Sequence, residues 1–244
     1  MSGAVICIKR SKTSNSFLLT VHRFKVHRSG FSCFPEPLNV EPLNGYVLCK
    51  IGLADRWEIT LRIIGGKYKG RKLRSVKGTK TRPTAERTRE AIFNIIVFQV
   101  PGARVLDLFA GTGAFGIEAL SRGAQSAVFI DSSDQSISVL RENLAGLPHK
   151  SPTKVIQWDL FRNLNCLPSP AAVIDLVFMD PPYNKNLIRP TLGHLHSSQC
   201  LADDSRIIVE HSHRESGFAD QLPFEIVDRR KYGKTLVSFF KYVV

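Results

Sequence analysis

The 244-residue chain contains no Cys-x-x-Cys pair. Its five cysteines, Cys7, Cys33, Cys49, Cys166 and Cys200, are odd in number and scattered, which leaves neither a disulfide framework nor the ligand spacing of a zinc site and fits a reducing compartment. No apolar run approaches the length of a membrane span, so no membrane partner is expected. Met1 to Ile8 lacks the order of regions of a secretory signal, which argues against export. Acidic residues are scarce: 21 Asp and Glu stand against 34 Lys and Arg, a net charge of +13, and none precedes Glu36. The remainder is ordinary, with 43% hydrophobic and 23% charged residues, enough for one globular domain with a real core and an appendage.

The basic excess is unevenly placed. Residues 1–61 carry +4, residues 62–90 carry +9 from 11 basic and 2 acidic side chains, and residues 91–244 balance 15 against 15. A basic block ahead of a neutral body is the footprint of a polyanion-binding appendage and excludes a uniformly basic packaging protein. Residues 1–60 show no repeated period. They fit an organellar targeting extension, which would be basic and poor in acid, or a translated stretch upstream of the true start; the second is preferred, and little function is expected there.

Order is expected from Leu61. Leu61-Arg-Ile-Ile-Gly-Gly66 followed by Lys67-Tyr-Lys-Gly-Arg-Lys-Leu73 predicts a small β-hairpin in which basic residues surround Tyr68. From Arg82-Pro-Thr the period changes: Pro83 suits a first helical turn, and Ala85, Thr88, Ile92 and Ile95 fall on one face of a helix reaching about Phe98. The rest alternates strand and helix. Strands are expected at Arg104–Phe109, Ala127–Ile130, Lys154–Gln157, Val173–Met179 and Arg206–Val209, apolar runs of the kind buried on both faces of a parallel sheet. Phe224–Val227 and Leu236–Phe240 are joined across Tyr232-Gly-Lys234 with no room for a crossover helix, so they pair antiparallel. The fold class is therefore α/β, a doubly wound, mostly parallel sheet ending in an antiparallel hairpin. The expected division is residues 1–60 as the extension, 61–100 as the basic hairpin and helix, and 101–244 as the α/β domain.

Asp107-Leu-Phe-Ala-Gly-Thr-Gly-Ala-Phe-Gly116 places Gly-x-Gly-x-x-Gly between a strand and a helix, and Asp131 ends the next strand about twenty residues after Gly111. Taken alone the glycine pattern also fits a nicotinamide site. Asp107 argues otherwise, because a carboxylate at the mouth of the loop would face a dinucleotide's pyrophosphate. S-adenosylmethionine instead carries an ammonium and a sulfonium. Asp107, Phe109, Gly111 and Gly113 are thus expected to cradle it, Asp131 to accept its ribose hydroxyls, and Asp159 with Leu160 to meet its adenine.

Asp180-Pro-Pro-Tyr183 follows a buried strand and so lies at the carboxyl edge of the sheet, where doubly wound folds bind ligands. Pro181 and Pro182 stiffen the turn and remove two N–H donors, leaving carbonyl oxygens to accept. An Asp and a carbonyl together grip an exocyclic NH₂ and aim its lone pair at a methyl donor. Tyr183 offers a face on which an extruded base stacks, worth roughly 1–3 kcal/mol per base in single-strand binders. Neither Cys166 nor Cys200 follows a proline in the manner of a nucleophile that attacks a pyrimidine ring carbon. His194-x-His196 and His211-x-His213 read as decorating a helix and a strand end, and no metal is expected.

These two motifs, in this order, are those of amino-group nucleic-acid methyltransferases. Together with Leu61 to Leu73 and Arg82-Pro-Thr-Ala-Glu-Arg-Thr-Arg-Glu-Ala-Ile-Phe-Asn94, the chain from about Leu61 onward resembles the RsmD family, bacterial methyltransferases of guanine N2 in 16S ribosomal RNA. Family members usually begin with Met-Arg or Met-Lys before the Ile-Ile-Gly-Gly stretch, so Leu61 fits a non-AUG start. The resemblance implies a Rossmann-like, seven-stranded methyltransferase fold, S-adenosylmethionine as cofactor, and ribosomal RNA, free or in an assembling small subunit, as partner. A monomer in the bacterial cytoplasm is expected, or an organellar protein if residues 1–60 are a transit peptide. Lys67, Lys69, Arg71, Lys72 and Arg74 are the expected phosphate contacts, with Tyr68 a stacker. Arg82, Thr84, Arg87 and Arg89 stay open between RNA, the cofactor carboxylate and helix packing. Adenine-N6 methylation of DNA and a non-catalytic RNA-binding protein are the alternatives.

Overall fold

A computed structural model describes residues 4–9, 20–27, 30–32, 61–76, 83–148, 151–167, 173–215, 217–220 and 222–243. The chain divides into two compact units, Met1–Arg56 and Trp57–Val244. The first contains β1 (Ala4–Lys9), β2 (Thr20–His27) and β3 (Gly30–Ser32) in an antiparallel sheet ordered β1-β2-β3. Regular structure therefore precedes Leu61, against the expectation. The period that was overlooked is the alternation of Phe24 and Val26 with Arg23, Lys25 and His27 along β2.

The second unit is built on a seven-stranded sheet of β4 (Arg104–Leu108), β5 (Ser126–Asp131), β6 (Thr153–Gln157), β7 (Ile174–Met179), β8 (Leu201–Ser212), β9 (Phe224–Tyr232) and β10 (Thr235–Tyr242), ordered β6-β5-β4-β7-β8-β10-β9. The pairs among β4 to β8 are parallel, whereas β10 pairs antiparallel with both β8 and β9. This is the doubly wound sheet with a terminal antiparallel hairpin that the strand spacing implied. Helices α1 (Pro83–Ile95), α2 (Ala114–Ser121) and α3 (Asp134–Ala145) feed the core on one sheet face, and α4 (Ile188–Ser197) feeds the other. Ser133 caps α3 by accepting from the Ser136 amide, a contact worth about 1 kcal/mol. Among the described residues, no helix is long and apolar enough to cross a membrane.

The basic segment is not a free appendage. Residues 61–73 form a minimal hairpin with a bridge between Arg62 and Lys72 and a 3-10 turn at Gly66–Tyr68, and Leu61, Ile63, Tyr68 and Leu73 are buried in the same core as α1 and α2. Glu118 of α2 is wholly buried and accepts from the amides of Ile64 (2.7 Å) and Gly65 (2.8 Å), while Arg122 (2.7 Å) and Arg89 (4.0 Å) neutralise it. A Cβ on Gly66, whose φ is +74°, would collide with the Ser121 carbonyl, so the turn can lie this close to α2 only with glycine there. The buried face of α1 is correspondingly rotated from expectation: Thr88, Arg89, Ile92, Phe93 and Ile96 are buried, whereas Ala85 and Ile95 are exposed.

Candidate active site at the carboxyl edge of the sheet

Sheet register brings the acidic residues to one level. Ile130, Leu108, Met179 and Val209 stand side by side on β5, β4, β7 and β8, so the next residues along the chain, Asp131, Phe109, Asp180 and Glu210, share one level at the edge where β5, β4 and β7 end, while β8 continues to Ser212. Asp107 lies two residues below Phe109 and faces α2, where it accepts a hydrogen bond from the Gly116 amide at 2.9 Å. It is buried, makes no ion pair among the described residues, and its pKa is pushed up to about 8, chiefly by burial and in part by the charge of Asp131.

The loop above Asp107 is conformationally specialised. Phe109 has φ +58°, a costly value for a non-glycine residue, and Gly111 and Gly113 follow with +54° and +78°. A Cβ on Gly111 would meet only the Phe109 carbonyl, at 3.9 Å, so space is open over the loop. Gly113 and Gly116 serve packing instead, since a Cβ on either would strike Leu140 or Phe129 at 2.3 Å. Asp131 holds the loop by accepting from the Gly111 amide (2.8 Å) and the Ser133 amide (2.9 Å). These residues fit a ligand that carries a cation and hydroxyl groups: a buried carboxyl group without a counter-ion, a half-exposed carboxylate on the adjacent strand, and an uncovered glycine turn between them. Asp159 is exposed, accepts from the Phe161 amide and pairs with Arg162 at 3.5 Å. The Leu160 side chain is buried in the core on the α4 face.

Farther along the same edge, beyond Asp107, Pro181 is buried and Pro182 exposed, and Tyr183 has 38% of its surface exposed. The Tyr183 hydroxyl donates to Glu210 at 2.6 Å and lies 3.1 Å from the Thr235 hydroxyl. Glu215 ties the same turn to the end of β8, accepting from the amides of Asn184 (3.1 Å) and Ser212 (3.0 Å). Asp180 is exposed as a residue, yet its carboxyl group is desolvated by the protein packed around it; this, with the charges of Glu210 and then Asp107, raises its pKa well above the ordinary carboxylate range. Burial raises Glu210 as well, against the hydrogen bond from Tyr183. The two therefore titrate as a pair. Sequence reasoning missed Glu210, Thr235 and Glu215. Glu210 had a signal, an acidic residue just after the apolar run Ile207 to Val209, the same pattern that marked Asp131.

The basic residues separate into two groups. Lys67, Lys69, Arg71, Lys72, Arg74 and Arg87 are all exposed. Arg71 donates to the Gly146 carbonyl past the end of α3, and Arg74 pairs with Glu142 at 2.7 Å, so both brace the hairpin against α3. Asn143 links this brace to the cofactor loop, donating to the carbonyls of Arg74 (3.1 Å) and Thr112 (2.9 Å). Tyr68 is only 4% exposed, which removes its ring from the stacking role. Arg89 is resolved as helix packing, with its guanidinium donating to the Arg62 carbonyl. Arg82 and the side chain of Thr84 lie outside the described residues. His194 and His196 lie on α4 and His211 within β8, where it meets Ser238 at 2.8 Å.

A family model described as Conserved hypothetical protein 95 matches residues 61–241. Escherichia coli (strain K12) ribosomal RNA small subunit methyltransferase D is 33% identical over 189 residues, covering 72% of this chain and 93% of the relative. The candidate rRNA methyltransferase YlbH of Bacillus subtilis (strain 168) is 36% identical over 182 residues, covering 74% and 98%. The solved structure of the candidate methyltransferase yhhF from Escherichia coli superposes with a TM-score of 0.66 at 31% identity over 76% of this chain and 99% of that one. The fold, the match along residues 61–241 and the near-complete coverage of these relatives agree that the chain belongs to the RsmD family of methyltransferases.

Proposed function

We propose that the protein transfers a methyl group from S-adenosylmethionine to the N2 amino group of a guanine in small-subunit ribosomal RNA, with residues 61–100 and the catalytic body sharing the RNA. The observation that carries this is the target half of the cleft. Asp180 and the Pro-Pro turn stand beside Asp107 and Asp131, and Tyr183 is held by its hydroxyl so that the exposed part of its ring faces open space. Asp107 would hold the cofactor's ammonium, Asp131 its ribose, and Asp159 its adenine edge. When bound, S-adenosylmethionine supplies the methyl group and a sulfur leaving group that keeps the electrons of the broken bond.

The chain's own residues supply position. Ionised Asp180 and the Pro181 carbonyl each accept one hydrogen of the guanine amino group, which aims the nitrogen lone pair along the line of attack. Tyr183 stacks on the base and offsets part of the few kcal/mol needed to extrude it, a cost least in a loop or bulge. The nitrogen becomes acidic as its new bond forms, and Asp180 takes the released proton directly or through water. Digestion of ribosomal RNA, small-subunit particles or duplex DNA treated with enzyme and labelled cofactor, followed by mass spectrometry of the nucleosides, tests the proposal: N2-methylguanosine is expected from ribosomal RNA or particles, and N6-methyl-2′-deoxyadenosine from the DNA with no methylated guanosine from the RNA would overturn it.

A further inference from the structure

The balanced charge of residues 91–244 conceals a second basic surface. Within residues 228–234, Arg229, Arg230, Lys231 and Lys234 face a single acid, Asp228, and all four cations are exposed at the tip of the β9–β10 hairpin. Two of the offsetting acids, Asp203 and Asp204, sit at the far end, near the start of β8, where Asp204 pairs with Lys241 of β10 at 2.6 Å. On β9 and the β9–β10 turn the cations thus lie at the edge that carries Tyr183, where Glu210 and Glu215 are engaged with the Tyr183 hydroxyl and the Asn184 and Ser212 amides and make no ion pair with them among the described residues. Thr235, the first residue of β10, pairs with Tyr232 across the turn and with Ser212 at the end of β8, and its hydroxyl meets Tyr183 at 3.1 Å. Exposed Arg214, two residues past Ser212, and exposed Lys185, two past Tyr183, extend the same rim.

An edge strand often carries Lys or Arg simply to prevent pairing with another chain. That function would place charge along the whole of β9. Instead Ile226 and Val227 are exposed in the half remote from Tyr183, at 47% and 46%, the one charged side chain among its first four residues is the acid Glu225, and every cation of β9 lies in the other half. Arg230 pairs with Asp228 at 2.8 Å, whereas Arg214, Lys231 and Lys234 make no ion pair among the described residues. Sheet order also separates this rim from the residue 61–74 hairpin: the latter braces against α2 and α3 above β4 and β5, and the rim lies beyond β8 on the other side of β7.

Resting on the RNA reading above, we propose that the β9–β10 tip is a second RNA-binding surface, gripping phosphates that flank the target nucleotide on the side of Tyr183 away from the cofactor. The target strand is then held from both sides of the base to be extruded, and Thr235 couples the grip to Tyr183.

The test is the triple variant R230Q/K231Q/K234Q in the full chain, with a small-subunit rRNA fragment as probe. Expected results are unchanged S-adenosylmethionine binding, a dependence of log affinity on log salt flatter by about 2 units at roughly 0.7–0.9 per phosphate contact, and a KM for RNA raised on the order of tenfold with kcat at saturation retained. A wild-type salt slope and KM in the variant, with methylation intact, would overturn the surface and leave the proposed function standing. Wild-type protein that neither binds nor methylates the RNA would overturn both. If the triple variant fails to bind the cofactor, K231Q and K234Q singly are each expected to flatten the slope by under one unit, and no change in either overturns the proposal.

Discussion

The two halves of the cleft hold their carboxyl groups in opposite ways. In the cofactor half, each carboxylate is fixed by backbone amides close in sequence: Asp107 by Gly116 in the first turn of α2, and Asp131 by Gly111 of the glycine loop and by Ser133 just after β5. In the target half, Asp180 and Glu210 are set against each other and against Asp107, and the hydrogen bond that fixes Tyr183 comes from strands 27 and 52 residues away. The first arrangement is local and, on the proposed function, would hold the cofactor's cation. The second is assembled only by the sheet and, on the same reading, would receive the guanine amino group. The contrast implies that changes in the first half fall on cofactor affinity, and changes in the second on turnover and its pH dependence.

The sharpest separation is expected from Asp180→Ala, which should lower turnover on the order of 10³-fold while calorimetric S-adenosylmethionine binding stays near wild type; a comparable loss of cofactor binding would collapse the distinction. Next, Asp107→Ala removes a charge-assisted contact of about 1.5–3 kcal/mol and should weaken cofactor binding by roughly 10- to 100-fold. Its titration supplies a further check. With its pKa near 8 in the cofactor-free protein, Asp107 must lose a proton to meet an ammonium, so wild-type affinity should rise between pH 6 and 7.5 and Asp107→Asn should flatten that rise. For stability the sign is reversed. The folded pKa exceeds the unfolded value of about 3.9, so the contribution is fully present below that value and is lost as pH rises through about 8.

Smaller effects should divide the target half. Tyr183→Ala should raise the RNA KM by roughly 5- to 100-fold through lost stacking, and Tyr183→Phe, which keeps the ring but frees it from Glu210 and Thr235, by less. Glu210→Gln keeps an acceptor for the tyrosine and removes the charge beside Asp180. The acid limb of the kcat profile should therefore move to lower pH, and an unmoved limb would show that the two carboxyl groups do not titrate together.

The same contrast explains what could be read in advance. Asp107, Gly111, Gly113, Gly116 and Asp131 lie within 25 consecutive residues of one strand-loop-helix-strand unit, and their chemistry follows from spacing alone. Asp180 to Tyr183 was equally visible, but Glu210, Thr235 and Glu215 enter through the order β7-β8-β10, which no local pattern encodes. The face of α1 was misjudged because Arg89 was left undecided as a polar residue, whereas buried Glu118 draws it inward and Ile95 turns out. Tyr68 was misplaced for a related reason. Basic neighbours made it resemble a surface aromatic, while Leu61, Ile63 and Leu73 around it were already a core pattern. The charge census of residues 91–244 failed differently, since a sum cancels charges without regard to where the strands place them.

The central claim, that the target half presents a guanine amino group to a methyl donor held by the other half, is tested most directly by the product nucleoside. Incubation of the full chain with S-adenosylmethionine and unmodified small-subunit rRNA or particles should yield N2-methylguanosine at one site, and Asp180→Ala should form it on the order of 10³-fold more slowly. N2-methylguanosine formed equally by the variant, or a methylated adenine in place of guanine, would contradict the account.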